Sequence, residues 1–345
     1  MKRDHILIIR FSALGDVAML VPVVAALAKQ YPNVRITVLS RPFARPLFEA
    51  LAPNVGFMGA DIKNEYHGIR GLNSLYRRLT AKQFTAIADM HNVLRSEFLR
   101  LRFNMGRYKV AHINKHRQGK RQLISATNRR MVQQPTSFRN YADVLAKLGY
   151  PITLDTTWKL EPSHEDNNSS PFTLHSSLNI GIAPFAAHEG KIYPLPLMER
   201  VIELLVERHP DCQIFLFGGG QREVSQINEW CNKYKNCTSV PARAKGLKEE
   251  LGLMSQLDAM VSMDSANMHL ASIVGTPVVS IWGATHPYAG FMGWGQSEGF
   301  AVQLDMDCRP CSVFGNKPCL RGDYACLKNI PPEQIVERVE MLKRQ

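Results

Sequence analysis

Asp264-Ser265-Ala266-Asn267-Met268-His269 follows an apolar run ending at Met263 and precedes Gly275-Thr276-Pro277 and a second apolar run, Val278 to Ile281. The order reads as a strand over Asp258 to Met263, a polar turn, a short helix over Met268 to Val274, and a strand. Asp264 and Ser265 are good helix N-caps. A helix N-terminus at the carboxyl end of a strand gathers unpaired N–H groups and the positive end of the helix dipole, which makes an anion site and predicts a phosphorylated ligand. An ordinary capped helix is the plain alternative. Near the other end, His5 to Arg10 reads as a strand, Phe11-Ser12-Ala13-Leu14-Gly15-Asp16 as a turn, and Val17 to Gln30 as a helix. Gly15 is the turn's single glycine, which excludes the three-glycine dinucleotide fingerprint. A carboxylate, Asp16, stands at the mouth of the first strand instead, as a reactive group or as a helix cap.

Such residues need a frame to hold them. Apolar strand-like runs at Val34–Ser40, Val55–Met58, Phe84–Asp89 and Tyr108–Ala111 alternate with helical stretches at Pro42–Leu51, Gly71–Lys82, from Val93, and Phe138–Leu148. Alternation of this kind builds parallel sheets. Residues Pro162 to Ser177 are polar and unpatterned, as a linker would be. Beyond them the theme repeats: strands at Leu178–Ala183 and Gln213–Phe217, helices at Leu195–His209, Gln221–Lys233 and Lys248–Ser255, and a closing helix from Ile330 to Arg344 with Pro331 and Pro332 in its first turn. The division expected is an amino-terminal domain over 1–165, a carboxyl-terminal domain over 178–330, and a closing helix over 331–345.

The 345 residues, 45% hydrophobic, suffice for two α/β cores. No apolar run is long enough to span a bilayer, and the first strand is too short for a signal peptide, so a cytoplasmic location is expected. Residues 1–150 carry 25 Lys and Arg against 8 Asp and Glu, whereas the remainder carries 17 against 22. The basic half attracts a polyanion: a phosphorylated glycolipid, an anionic membrane surface held peripherally, or nucleic acid. Nucleic acid ranks last, because few aromatics accompany the cations. Arg95, Arg117, Lys120 and Arg121 are the candidate anion-binding residues; a solvated helix face is the plain alternative.

The opening Ile6-Leu7-Ile8-Ile9-Arg10-Phe11-Ser12-Ala13-Leu14-Gly15-Asp16, the central Ile180-Gly181-Ile182-Ala183-Pro184 continuing to Lys191-Ile192-Tyr193-Pro194, and the Asp264 to Thr285 block occur in an order that resembles glycosyltransferase family 9, the ADP-heptose:lipopolysaccharide heptosyltransferases. The resemblance implies an α/β protein of the GT-B class, two Rossmann-like domains with parallel sheets facing across a cleft. It implies inverting transfer of heptose from ADP-heptose to the lipopolysaccharide inner core, with no metal required. A single displacement needs a base on the acceptor oxygen and charge neutralisation on the departing diphosphate. Asp16 is the candidate base and Lys191 the candidate cation. Ser12, Gly15, Gly220, Glu223, Asp264, Ser265, Met268, His269 and Thr285 match donor-side positions, and the basic amino-terminal residues would meet the acceptor. Ala266 and Asn267 replace the glycine and proline usual after Asp-Ser, which leaves a different donor sugar open. Another GT-B enzyme, such as an epimerase, and a non-catalytic polyanion binder are the alternatives.

Cys308, Cys311, Cys319 and Cys326 form a C-x2-C-x7-C-x6-C cluster in a loop with Pro310, Gly315, Pro318 and Gly322. Four thiols can make a closed structural zinc site with no position left for catalysis; free thiols and disulfides are the other readings.

Overall fold

The structure, a computed structural model, describes residues 4–162, 171–174 and 176–343. Most of the expected 162–177 linker lies outside the described residues. The chain divides into two compact units, residues 1–115 with 137–160, and residues 116–136 with 161–345.

In the first unit, strands β1 (His5–Ile9), β2 (Arg35–Ser40), β3 (Val55–Gly59), β4 (Ala86–Asp89) and β5 (Lys109–His112) form one parallel sheet in the order β3-β2-β1-β4-β5. Helices α1 (Leu14–Ala18), α2 (Val21–Gln30), α3 (Gly68–Thr80) and α4 (Leu94–Met105) connect them. β1 is buried along its length, as a central parallel strand with covered faces must be. Leu75 and Leu79 of α3 and Leu99 and Phe103 of α4 close over Leu7, Ile9 and Ile87. Two expectations change. The helix read from Val17 starts at Leu14 and breaks at Met19–Leu20, just before Pro22, so Asp16 sits inside a first turn. Pro42–Leu51 is a 3-10 turn over Pro42–Leu47, since Pro46 cannot supply an α-helical N–H.

Helix α5 (Arg117–Leu123) belongs to the second unit, and α6 (Ser137–Lys147) returns to the first. The amino-terminal domain expected over 1–165 therefore lacks residues 116–136. Residues Glu161 onward count with the second unit as well.

The second unit's sheet comprises β6 (Asn179–Ala183), β7 (Gln213–Leu216), β8 (Cys237–Ser239), β9 (Ala259–Met263), β10 (Val278–Ile281) and β11 (Ala301–Val302), all parallel, in the order β11-β10-β9-β6-β7-β8. Its helices are α7 (Leu195–Arg208), α8 (Gln221–Lys233), α9 (Leu247–Met254), α10 (Ala266–Ile273), α11 (Ala325–Lys328) and α12 (Pro332–Lys343). The closing helix α12 packs on α7, with Ile335, Val336 and Val339 in the same core as Val201, Ile202 and Leu205. Two parallel, doubly wound units of this kind are the GT-B class. No helix among the described residues is long and apolar enough to cross a membrane.

Candidate functional site

Open parallel sheets bind ligands beyond the carboxyl ends of the strands, where the strand order reverses. In the first unit that point lies between β1 and β4, which pair Ile9 with Asp89, while β2 continues on the other side of β1. In the second unit it lies between β6 and β9, which pair Ala183 with Ser262.

Asp16 occupies the first of these points. Its Oδ2 accepts from the Ala13 N–H at 3.2 Å and is ion-paired with Arg10, which extends from the end of β1. The Arg10 side chain is buried and also donates to the Met90 carbonyl at 2.6 Å. The Tyr141 hydroxyl donates to the Asp16 carbonyl at 3.2 Å. About a third of the Asp16 side chain, 31%, stays exposed. Asp16 therefore serves as a first-turn cap and also presents a carboxylate at the surface. Gly15 is buried beneath it.

The neighbouring loop is equally fixed. Asp89, fully buried, accepts from the His91 and Asn92 N–H groups at 2.9 and 2.8 Å and from Arg100 at 3.3 Å. This brings His91, which sequence reasoning passed over, to 3.4 Å from the Ser12 hydroxyl and edge-on to Phe11. The signal available was its place just past a predicted strand, on the loop after Asp89. Burial, then the Arg10 and Lys115 charges, push the His91 imidazole down to about 3, so it is neutral at working pH. The sign of the stability effect follows. Below about pH 6.5 the unfolded chain takes up a proton that the folded chain refuses, so stability falls as pH drops towards 3. Urea unfolding of wild type at pH 7 and pH 4 should differ by on the order of 3 kcal/mol through this residue, and His91→Gln should flatten that difference.

At the second point Lys191 Nζ lies 2.8 Å from Asp264 Oδ2, with both side chains largely buried. Ser265 is the N-cap residue of α10, but its hydroxyl makes no cap bond and lies 3.3 Å from that of Ser262. The helix begins at Ala266, two residues earlier than expected. Its first-turn N–H groups receive no side-chain cap, which is the state that suits an incoming anion. Met268 and His269 are buried in α10.

Lys191 is held from beneath. The Gly190 carbonyl accepts from Ala284 N–H at 2.8 Å, and Gly315, at φ +74°, lies against the lysine stem. A Cβ on Gly315 would come within 2.6 Å of Lys191 Cγ. Gly315→Ala is therefore expected to displace the ammonium and lower turnover about tenfold or more, since small misplacements of a charged group are costly. Steady-state kinetics beside an unfolding curve check this.

Two further donor-side positions, Glu223 and Thr285, lie at tight turns of the second unit. Glu223 turns back to accept from the Gly219 N–H at 2.7 Å, closing the turn in which Gly220 takes φ +83°. Thr285 is fully buried, and its carbonyl accepts from Arg309 at 2.9 Å. Arg309 also donates to the Gly283 carbonyl, clamping the same turn. Burial and Arg309 push His286 down to about 4, and its Nδ1 accepts from the Tyr288 N–H at 3.1 Å.

The basic residues separate. Arg95 is exposed on α4 of the first unit, whereas Arg117 and Arg121 are exposed on α5 of the second. Lys120 is buried, with Nζ 4.0 Å from the Phe291 ring centre in a cation–π contact.

Cys308, Cys311, Cys319 and Cys326 line one small pocket with Arg309 and Tyr324, all as free thiols. Among the described residues no group of three or more His, Cys, Asp or Glu side chains is placed to hold a metal ion. Burial raises the Cys326 thiol to about 11. At Cys319 burial also acts upward, but the backbone N–H groups of Tyr324, Arg321, Gly322 and Asp323 outweigh it and lower the thiol.

A sequence profile of glycosyltransferase family 9 (heptosyltransferase) matches residues 72–318. The lipopolysaccharide core heptosyltransferase OpsX of Haemophilus influenzae is 27% identical over 293 residues, covering 81% of this chain and 79% of that protein. Lipooligosaccharide heptosyltransferase 2 of the same organism is 25% identical, covering 82% and 84%. Among solved structures, E. coli ADP-heptose lipopolysaccharide heptosyltransferase II aligns with a TM-score of 0.69 at 18% identity over 99% of both chains. A family 9 glycosyltransferase from Veillonella parvula aligns at 0.70 and 17%, covering 100% and 98%.

Proposed function

The chain belongs to glycosyltransferase family 9, and from that premise we propose that it moves heptose from ADP-heptose to a hydroxyl of the lipopolysaccharide inner core, with inversion at the anomeric carbon. Asp16 takes the proton of the acceptor hydroxyl as its oxygen bonds the anomeric carbon, and the bond from that carbon to the diphosphate breaks on the opposite face. ADP leaves with the electron pair on its diphosphate. Lys191 and the uncapped first turn of α10 neutralise that charge, so the reading calls on no metal ion.

The observation that supports this most is the Lys191–Asp264 pair at the reversal point of the second sheet, beside a helix start with no side-chain cap. Before donor binds, Asp264 balances the ammonium. A diphosphate offers more charge and would draw Lys191 over, leaving Asp264 to accept from sugar hydroxyls. Glu223 retains oxygen lone pairs for ribose hydroxyls, and Ser12 stands ready beside His91. Arg95 serves the anionic acceptor from the first unit. The enzyme works in the cytoplasm, peripherally at the inner membrane face where a lipid-linked acceptor is presented.

The test is ADP release from ADP-heptose by the purified protein, with and without deacylated inner-core oligosaccharide. Acceptor-dependent release supports the reading. ADP binding without release under any acceptor would retain the nucleotide site and overturn heptose as the transferred sugar.

A further inference from the structure

Helices α3 and α4 pack side by side over the first sheet, with Arg102 of α4 lying 4.8 Å from the ring centre of Tyr76 on α3. Leu99 and Phe103 face the core. On the opposite side of α4, Leu94, Leu101 and Met105 stand 85%, 58% and 71% exposed. Steps of seven and four residues place all three on one line along the helix, so this is an apolar stripe that none of the described residues covers. Charges flank the stripe on one side: Arg95 and Arg102 lie a quarter turn away on α4, and Arg70 and Arg77 point outward from α3. The two helices contain one acid, Glu97, which lies on the far flank tied to Arg100 at 2.9 Å.

We propose that this outward face docks the protein on an anionic lipid bilayer, Leu94, Leu101 and Met105 entering the headgroup layer while Arg70, Arg77 and Arg102 hold lipid phosphates. An apolar line bordered by cations is the pattern that an interfacial helix uses. Charge decides against a second copy of this chain as the occupant: an antiparallel isologous contact would bring the two sets of arginines together, and a parallel one would offer them Glu97 alone, already paired with Arg100. The position also suits the substrate. α4 begins at Leu94, directly after the loop that carries His91, so the stripe starts at the lip of the Asp16 site. This inference deepens the lipid-linked acceptor reading and rests on it for its purpose, though not for its test.

The test is co-flotation of the full chain with vesicles of phosphatidylethanolamine containing about 30% phosphatidylglycerol, against phosphatidylcholine vesicles. Wild type should bind the anionic vesicles, less as NaCl rises from about 0.05 to about 0.5 M. Leu101→Gln with Met105→Gln, and separately Arg70→Gln with Arg77→Gln, should each lower binding at least tenfold. All four positions are on the solvent side, so unfolding midpoints should hold, and ADP release with the deacylated acceptor should match wild type. Vesicle binding unchanged in both variants, no binding by wild type, or a wild-type dimer that the apolar pair abolishes would overturn the assignment. Lost flotation with retained turnover on the soluble acceptor separates this surface from the catalytic reading.

Discussion

Replacing Asp16 with asparagine is expected to lower acceptor-dependent ADP release by about a thousandfold, the scale of a lost general base, while ADP affinity stays within about twofold. Asparagine has the same shape, and its amide oxygen can still accept from the Ala13 N–H that Asp16 caps at 3.2 Å. It cannot take up a proton. The variant therefore separates the two roles that this side chain has in the structure. If Asp16 were only a first-turn cap, the substitution would keep the cap bond and leave turnover nearly intact. Arg10 complicates the stability side, because its buried guanidinium loses a charged partner and keeps the Met90 carbonyl. Kinetics and a urea midpoint on the same sample distinguish these outcomes. Arg10→Gln should move in the same direction less steeply, by loosening the carboxylate without removing it.

The second large effect is expected at Lys191. Lys191→Met keeps the stem that lies on Gly315 and removes the charge, and should lower the rate by about a hundredfold to a thousandfold through the unstabilised diphosphate. ADP should bind more weakly as well, since the product carries the same phosphates. Asp264→Asn should behave in the opposite way in binding. With its carboxylate gone, Lys191 is no longer shared between protein and ligand, so ADP affinity should hold or rise. Stability should fall, by up to about 3 kcal/mol, because a largely buried ammonium has lost the partner 2.8 Å away. Isothermal titration with ADP and thermal unfolding with and without ADP read both effects. Weaker ADP binding in Asp264→Asn would mean that the carboxylate orients Lys191 and does not compete for it.

Much of this was legible in the chain. Strands such as Ile6 to Ile9 and Ala259 to Met263 are continuous apolar runs closed by polar turns, a pattern that buried parallel strands impose and helices of that length do not. Asp16 and Asp264 could be singled out because each stands in the turn beyond such a run, and Lys191 because its loop resembles the family's strand, loop and lysine motif. Their partners could not. Arg10 looked like the last residue of a strand, and only the return of the chain through Asp16 shows why a cation is buried there. His91 lacked a motif, and its neutrality comes from burial and from charges on other elements. Lys120 was grouped with the anion-binding candidates, and its contact was not legible because sequence proximity to Arg117 and Arg121 says nothing about Phe291, far along the chain. Thr285 carried a recognisable motif, which gave no sign of its burial or of the Arg309 bond to its carbonyl.

The excursion of residues 116–136 bears on how this protein could be recombined with its relatives. A chimera made by exchanging the first 160 residues, the natural design for transplanting acceptor preference, would also carry α5 into a foreign second unit. Lys120 would then meet whatever residue replaces Phe291, and Arg129 would lose the Arg309 carbonyl to which it donates at 2.7 Å. Arg309 is the residue that clamps the turn beneath Lys191's loop. A clean exchange has to be discontinuous, taking residues 1–115 with 137–160 and leaving 116–136 native. Grafts cut at a single junction should therefore disturb nucleotide binding even though the donor-side positions from Gly220 to Thr285 stay unchanged.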